Sequence, residues 1–212
     1  MREAIAVLAR APVPGRVKTR LVPALGETGA ALAHLLLLRR TLLIGLLSGR
    51  PVYCYTEQGW RDTLFDAVSG LHWLTQGSGG LGERMQHALA ATHAVSPRVL
   101  LLGSDFPALS VVFLEQAFAE LNTHDWVLGP ADDGGYVLLG SRVPSFWQGA
   151  DPLAGSAFGG PRALRDTLQA LCGTAALLPM RADLDTPEDL ALDANRWLRE
   201  LIARCRSELV VP

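Results

Sequence analysis

Short apolar runs of strand length alternate with helical segments from one end of the chain to the other. The runs are AIAVLA (4–9), PVYCYT (51–56), LHWLT (71–75), VLLLG (99–103), WVLGPA (126–131), YVLL (136–139) and TAALLPM (174–180). Helix-like stretches are expected between them over 27–47, 60–68, 81–95, 110–121 and 161–171, and another from Thr186. Continuous apolar strands that alternate with helices mean an α/β fold in which helices cover both faces of the sheet. The expected architecture is therefore a three-layer α/β/α arrangement with a mainly parallel central sheet. No internal repeat or linker interrupts the alternation, so residues 1–212 are expected to form a single domain.

A hydrophobic share of 49% against 19% charged residues belongs to an ordered chain with a sizeable core. The net charge of −2 gives no general electrostatic attraction to nucleic acid or an anionic membrane, so neither is expected as a partner. Cys54, Cys172 and Cys205 are odd in number and far apart, unlike a zinc site or a disulfide framework. With no long apolar core in MREAIAVLARAPVPG, a reducing cytoplasm is the simplest setting. Segment 27–47 carries the runs LLLL (35–38) and LLIGLL (42–47), but His34, Arg39 and Arg40 interrupt it. It is expected to be a buried crossover helix or a homo-oligomer contact, not a membrane span.

The first run feeds a loop of unusual chemistry. Arg10, Arg16, Lys18 and Arg20 are threaded among Pro12, Pro14 and Gly15, and Lys18 is the only lysine among 19 basic residues. Proline stiffens such a loop, and glycine permits a tight turn or a close ligand approach. Forked guanidinium donors and a compact ammonium suit phosphate groups. The residues fit either a phosphate grip or a solvated basic loop. Neither a Walker loop nor G-x-G-x-x-G is present.

Three further segments carry chemistry. The glycines of QGSGGLGERM (76–85) precede a helix, which suits an anion site or an ordinary βα loop, and Glu83 and Arg84 fit a functional or a surface pair. Asp105 follows VLLLG, at the strand edge where open α/β sheets bind ligands, although an aspartate that only closes a turn would look the same. Near the end, Thr186, Pro187 and Asp189 form a helix start that leaves Asp183 and Asp185 unexplained. Paired carboxylates on a loop suit Mg²⁺ or Mn²⁺. Asp132-Asp133-Gly134-Gly135 reads as a hairpin turn, and 141–160 as a loop over a site.

Taken together, ARAPVPGRVKTRL, GGLGERM, LLLGSDFPAL, LGPADDGGYVLLG and DLDTPEDL resemble a bacterial family of GT-A-type glycosyltransferase-like proteins. That family was long catalogued as a domain of unknown function and is related to the molybdenum-cofactor and phospholactate guanylyltransferases. The segments occur in the family's order and span almost the whole chain. The resemblance implies a nucleotide-diphosphosugar transferase fold. It also implies Asp105, Asp183 and Asp185 as metal ligands, and Arg10, Gly15, Arg16, Lys18 and Arg20 as the phosphate loop. Asp133, Gly134, Gly135 and Tyr136 would line the sugar or acceptor side, with Lys18 and Asp105 as the catalytic pair. Where the family carries a W-S-T-like stretch, this chain has Phe158-Gly159-Gly160.

The expected activity is metal-dependent glycosyl transfer from a nucleotide sugar to a small-molecule acceptor. The alternatives are a nucleotidyltransferase joining an NTP to a phosphorylated molecule, and a catalytically silent nucleotide-binding protein.

Overall fold

The computed structural model describes residues 2–142 and 160–208. Most of the 141–160 loop, with Phe158 and Gly159, lies outside the described residues. The described residues include seven strands, β1 (Glu3–Ala9), β2 (Val52–Thr56), β3 (Leu71–Thr75), β4 (Arg98–Leu102), β5 (Trp126–Pro130), β6 (Tyr136–Ser141) and β7 (Ala175–Leu177). They form one sheet in the order β3-β2-β1-β4-β6-β5-β7. Only β6 runs against its neighbours, because the Asp132–Gly135 turn joins it to β5 as a hairpin. The order leaves β1 in one direction through β2 and β3, then returns to its other side with β4. This switch point lies between the two central strands, where loops diverge and leave a crevice.

Side-chain alternation along each strand builds two cores. Ile5, Val7, Leu100, Leu102 and Val127 face α1 (Val22–Leu47) and α3 (Val111–Glu120), meeting Leu38, Leu42, Phe113, Leu114 and Phe118. Ala6, Val99, Leu101, Leu128 and Leu139 face the other way, onto Met85, Ala88 and Leu89 of α2 (Leu81–His93) and onto α4 (Ala163–Ala170). These two layers of helix with the sheet between them are the three-layer α/β/α arrangement expected. Each fully buried Leu, Ile or Phe contributes about 1.5–3 kcal/mol of apolar burial.

The long helix is apolar all round for a structural reason. Leu38 and Leu42 pack on the sheet, while Ala30, Ala33 and Leu37 pack on Leu198 and Ile202 of α6 (Arg196–Glu208). A helix sandwiched between two partners needs no polar stripe there. Thr19–Leu47 is long and apolar enough to cross a membrane, by length and composition alone: its most apolar 18-residue window has a mean hydropathy of 1.7, and half of that window is buried in the fold. Its regular part starts at Glu27, since Gly26 breaks the helix at φ 67°.

Two expected elements differ. Residues 60–68 are not a helix but turns around a short 3-10 helix at Thr63–Phe65. Asp62 causes this: its carboxylate accepts from the Leu64 N–H at 3.2 Å and from the Arg39 guanidinium at 2.6 and 3.2 Å. A side chain that binds the local backbone competes with helix formation. The last strand is also shorter than 174–180, as Pro179 can donate no ladder bond. The chain still follows β5 past that point, with Arg181 N–H donating to the Pro130 carbonyl at 3.0 Å. The helix α5 (Pro187–Ala191) begins as expected, with the Thr186 hydroxyl accepting from Asp189 N–H and the Asp189 carboxylate accepting in return.

Candidate active site

A cavity of about 670 Å³ opens at the carboxyl ends of β1 and β4, at the switch point. One wall is cationic. Arg10, at the end of β1, is exposed, as are Arg16 and Arg20. Gly15 lies outside the lining and serves the turn at φ 76°, where a Cβ would press on the Glu27 carboxylate at 3.3 Å.

Lys18 differs from its neighbours. Its side chain is 2% exposed, and it is the only non-glycine residue with positive φ among the described residues (φ 47°, ψ 43°). The left-handed backbone turns its side chain inward, away from the solvated face of the loop. There Nζ lies 3.0 Å from Asp105 Oδ1 and 3.6 Å from Asp185 Oδ1, and it donates to the Leu184 carbonyl. Leu184 N–H in turn donates to the Asp105 carbonyl at 3.0 Å. The basic loop, the end of β4 and the Asp183–Asp185 segment are therefore knotted through one ammonium and one backbone pair.

Asp105 sits at the centre. His34 approaches it, with Nδ1 at 3.8 Å from Oδ1, while His34 Nε2 bonds the Arg10 carbonyl at 3.0 Å and so must carry the proton there. The Asp105 side chain is 49% exposed to the cleft, between the buried residues Ser104 and Phe106. Burial acts to raise its carboxyl, but the Lys18 charge and the neighbouring imidazole outweigh it and hold the group down at about 2. It is an anion at any physiological pH.

Asp183 behaves oppositely. Burial first, then the charges of Asp133, Asp185 and Asp132, push its carboxyl up to about 6 against the pull of Lys18. Among the described residues it makes no ion pair. Asp185, by contrast, is paired with Arg20 at 2.5 Å. Like charges crowded on hard oxygen donors are what a divalent cation relieves, and Mg²⁺ commonly takes one or two carboxylates plus substrate phosphates. Asp105, Asp183 and Asp185 thus fit Mg²⁺ or Mn²⁺ by donor chemistry. They are not gathered into a ready cluster, since no group of three such ligands is preassembled among the described residues.

The opposite wall carries Asp133, Gly135 and Tyr136. Asp133 Oδ1 accepts from Gly135 N–H at 2.8 Å, which shapes the turn. Tyr136 receives a bond from the Thr167 hydroxyl at 3.3 Å, and burial pushes its phenol up to about 12. Gly134 lies outside the lining and is packed on Pro161.

The cavity also uses residues that sequence reasoning left open or passed over. Arg84 lines it and donates to Gln76 Oε1 at 3.0 Å, whereas Glu83 only caps the helix through Gly80 N–H. Gln76 ties β1 to β2 by donating to the Ala9 and Tyr55 carbonyls, each at 2.9 Å. His34 was legible only as one polar residue in an apolar helix.

Residues 42–159, more than half of the chain, match the family described as "Uncharacterized protein conserved in bacteria (DUF2064)". No curated protein matches the sequence. Among solved structures the chain is similar to a protein from Desulfovibrio desulfuricans G20 assigned as a nucleotide-diphospho-sugar transferase. The two share 26% identity over 98% of each chain, with a TM-score of 0.76. Rv0371c from Mycobacterium tuberculosis H37Rv, solved as a complex with manganese, shares 18% identity over 94% of this chain and 99% of its own, with a TM-score of 0.57. The 2-C-methyl-D-erythritol 4-phosphate cytidylyltransferase from Thermus thermophilus shares 17% over 94% and 100%, with a TM-score of 0.56. The last two establish likeness of fold.

Proposed function

This chain belongs to the bacterial DUF2064 family, and we propose that it is a metal-dependent glycosyltransferase using a nucleotide sugar. One observation carries the reading. A single cleft at the switch point is lined by the cations Arg10, Arg16, Lys18 and Arg20 together with the carboxylates Asp105, Asp133, Asp183 and Asp185, and Lys18 and Arg20 pair directly with Asp105 and Asp185. The cleft is large enough for a nucleotide with an attached sugar. In this reading residues 1–212 form one catalytic domain. The D. desulfuricans protein supports the transferase class, and the manganese complex of Rv0371c supports a divalent metal. Free Cys54, Cys172 and Cys205 support a cytoplasmic setting.

The residues divide the work as follows. Arg16 and Arg20 at the cleft mouth bind the diphosphate, and Lys18 adds a point charge close to the leaving oxygen. Asp105 and Asp183, with Asp185, would hold Mg²⁺ or Mn²⁺, which supplies charge neutralisation on the leaving diphosphate. Asp133, Gly135 and Tyr136 orient the sugar and exclude water from the anomeric carbon. Positioning and electrostatics carry such a transfer, so no Ser, Cys or His nucleophile is required.

A second reading is favoured by one feature. Arg84 adds a further guanidinium to the cleft, sharing the Glu57 carboxylate with Arg10 at 3.3 and 3.7 Å, and a triphosphate could draw both arginines from it. A nucleotidyltransferase joining an NTP to a phosphorylated acceptor would use them, as the cytidylyltransferase from T. thermophilus handles a nucleotide on the same fold. The test incubates the protein with Mn²⁺ and a panel of nucleotide sugars, and separately with NTPs and phosphorylated acceptors. We expect nucleoside diphosphate to be released from one nucleotide sugar, with no pyrophosphate from any NTP. Acceptor-dependent pyrophosphate release without nucleotide-sugar turnover would overturn the glycosyltransferase reading. Binding without any turnover would mark a silent nucleotide-binding protein.

A further inference from the structure

We propose that the Lys18 ammonium is a built-in counter-cation, standing between Asp105 and Asp185 in the free protein and exchanged for the divalent cation when substrate phosphates arrive. The inference rests on the transferase reading only for what arrives; the exchange itself stands on geometry.

An ammonium on a flexible stem normally stays in water, because burial forfeits its hydration. Here the only lysine of the chain is buried on two carboxylates and a carbonyl, at 3.0 Å from Asp105 and 3.6 Å from Asp185. The same oxygens are the hard donors that Mg²⁺ or Mn²⁺ would take. A divalent cation placed on them would face the ammonium at contact range in a partly dry site, where repulsion is weakly screened. Ammonium and metal are therefore antagonists for one pair of carboxylates.

The loop is built to let go. Lys18 is the only non-glycine residue with positive φ among the described residues, a conformation in which a side chain strains the backbone, and such strain concentrates at switch positions. Arg16 and Arg20, its exposed neighbours, stand where an incoming phosphate lands first. Asp105 stays in place when Lys18 leaves, because Leu184 N–H holds its backbone and the Ser104 hydroxyl donates to its Oδ1 at 3.4 Å. Phosphate that draws Lys18 outward would open the carboxylates to the metal. By linkage, metal would in turn tighten phosphate binding. In the resting protein the ammonium keeps Asp105 and Asp185 from repelling one another, so the fold needs no metal.

The test measures Mn²⁺ binding without nucleotide, by electron paramagnetic resonance of the free ion, in the wild type, Lys18→Met and Lys18→Arg. Lys18→Met should bind Mn²⁺ about tenfold tighter or more, within the usual range of coupling between two sites, while Lys18→Arg stays near wild type. Lys18→Met should also melt lower in EDTA and regain its melting temperature with Mn²⁺. Equal or weaker Mn²⁺ binding by a folded Lys18→Met protein would overturn the proposal.

Should Lys18→Met fail to fold, the wild type suffices, because a protein labelled at lysine Cε gives one side-chain NMR signal. Saturating Mg²⁺ together with pyrophosphate should move that signal from its position in EDTA, and a signal that does not move overturns the exchange. A wild type that shows the exchange yet binds and turns over no nucleotide would sink the transferase reading and leave this inference standing.

Discussion

Asp105→Asn is expected to lower transfer by at least ~100-fold, the usual loss when a site forfeits a group that stabilises developing charge. A carboxamide keeps the shape of the side chain and the Leu184-to-Asp105 backbone bond, so the sheet and helices should be intact by circular dichroism. What disappears is the negative charge at the end of β4. Lys18 loses its nearest anion but keeps Asp185 and the Leu184 carbonyl, which limits the stability cost to about 1–2 kcal/mol. Transfer at the wild-type rate by a folded Asp105→Asn protein would make Asp105 a turn residue only.

Gly134→Ala is expected to damage the fold more than any change at the cleft's charged residues. Gly134 has φ 87°, and a Cβ there would stand 2.3 Å from the Pro161 carbonyl oxygen. The obstacle is backbone, and Leu164 N–H donates to Gly134 O at 3.0 Å, so the turn cannot easily back away from α4. Strain and clash together should cost about 3 kcal/mol or more, a fall of roughly 6–12 °C in melting temperature for a chain of this size. Gly135→Ala is the control. The atoms nearest its Cβ would be those of the Asp133 carboxylate, at 3.0 Å, a side chain that can yield at the cost of its bond from Gly135 N–H. Equal melting of the two variants would mean that the turn does not rest on Pro161.

Much of this site was legible in the sequence because it follows local rules. An apolar run followed by Asp105 marks the end of a buried strand. Thr186 and Asp189 state their own capping geometry, and the alternation of runs gives the layers. The resemblance added which loops share an edge of the sheet. The inward turn of Lys18 was not legible, since its partners lie 87 and 167 positions away and no periodicity connects them. A basic loop suggests solvated cations, and only a left-handed residue reverses that. Arg84 and Glu83 were inseparable for a related reason. Glutamate at the third helical position signals a capping box, but the residue before the helix is Gly80, which has no side chain to complete the signal. The expected helix over 60–68 failed because Asp62 answers to Arg39 on a distant helix, a tertiary contact that overrides local preference.

On the proposed reading this cleft binds a nucleoside diphosphate through a divalent cation and the Lys18 loop. Calorimetric titration of the wild-type protein with ADP, CDP, GDP, UDP and dTDP, each with Mn²⁺ and with EDTA, measures that binding. At least one of the five should bind in Mn²⁺, and EDTA should weaken it by about tenfold or more, on the order of a typical coupling between two sites. Asp105→Asn should remove the difference. Binding of equal strength in EDTA, or no binding of any of the five under either condition, would overturn that reading.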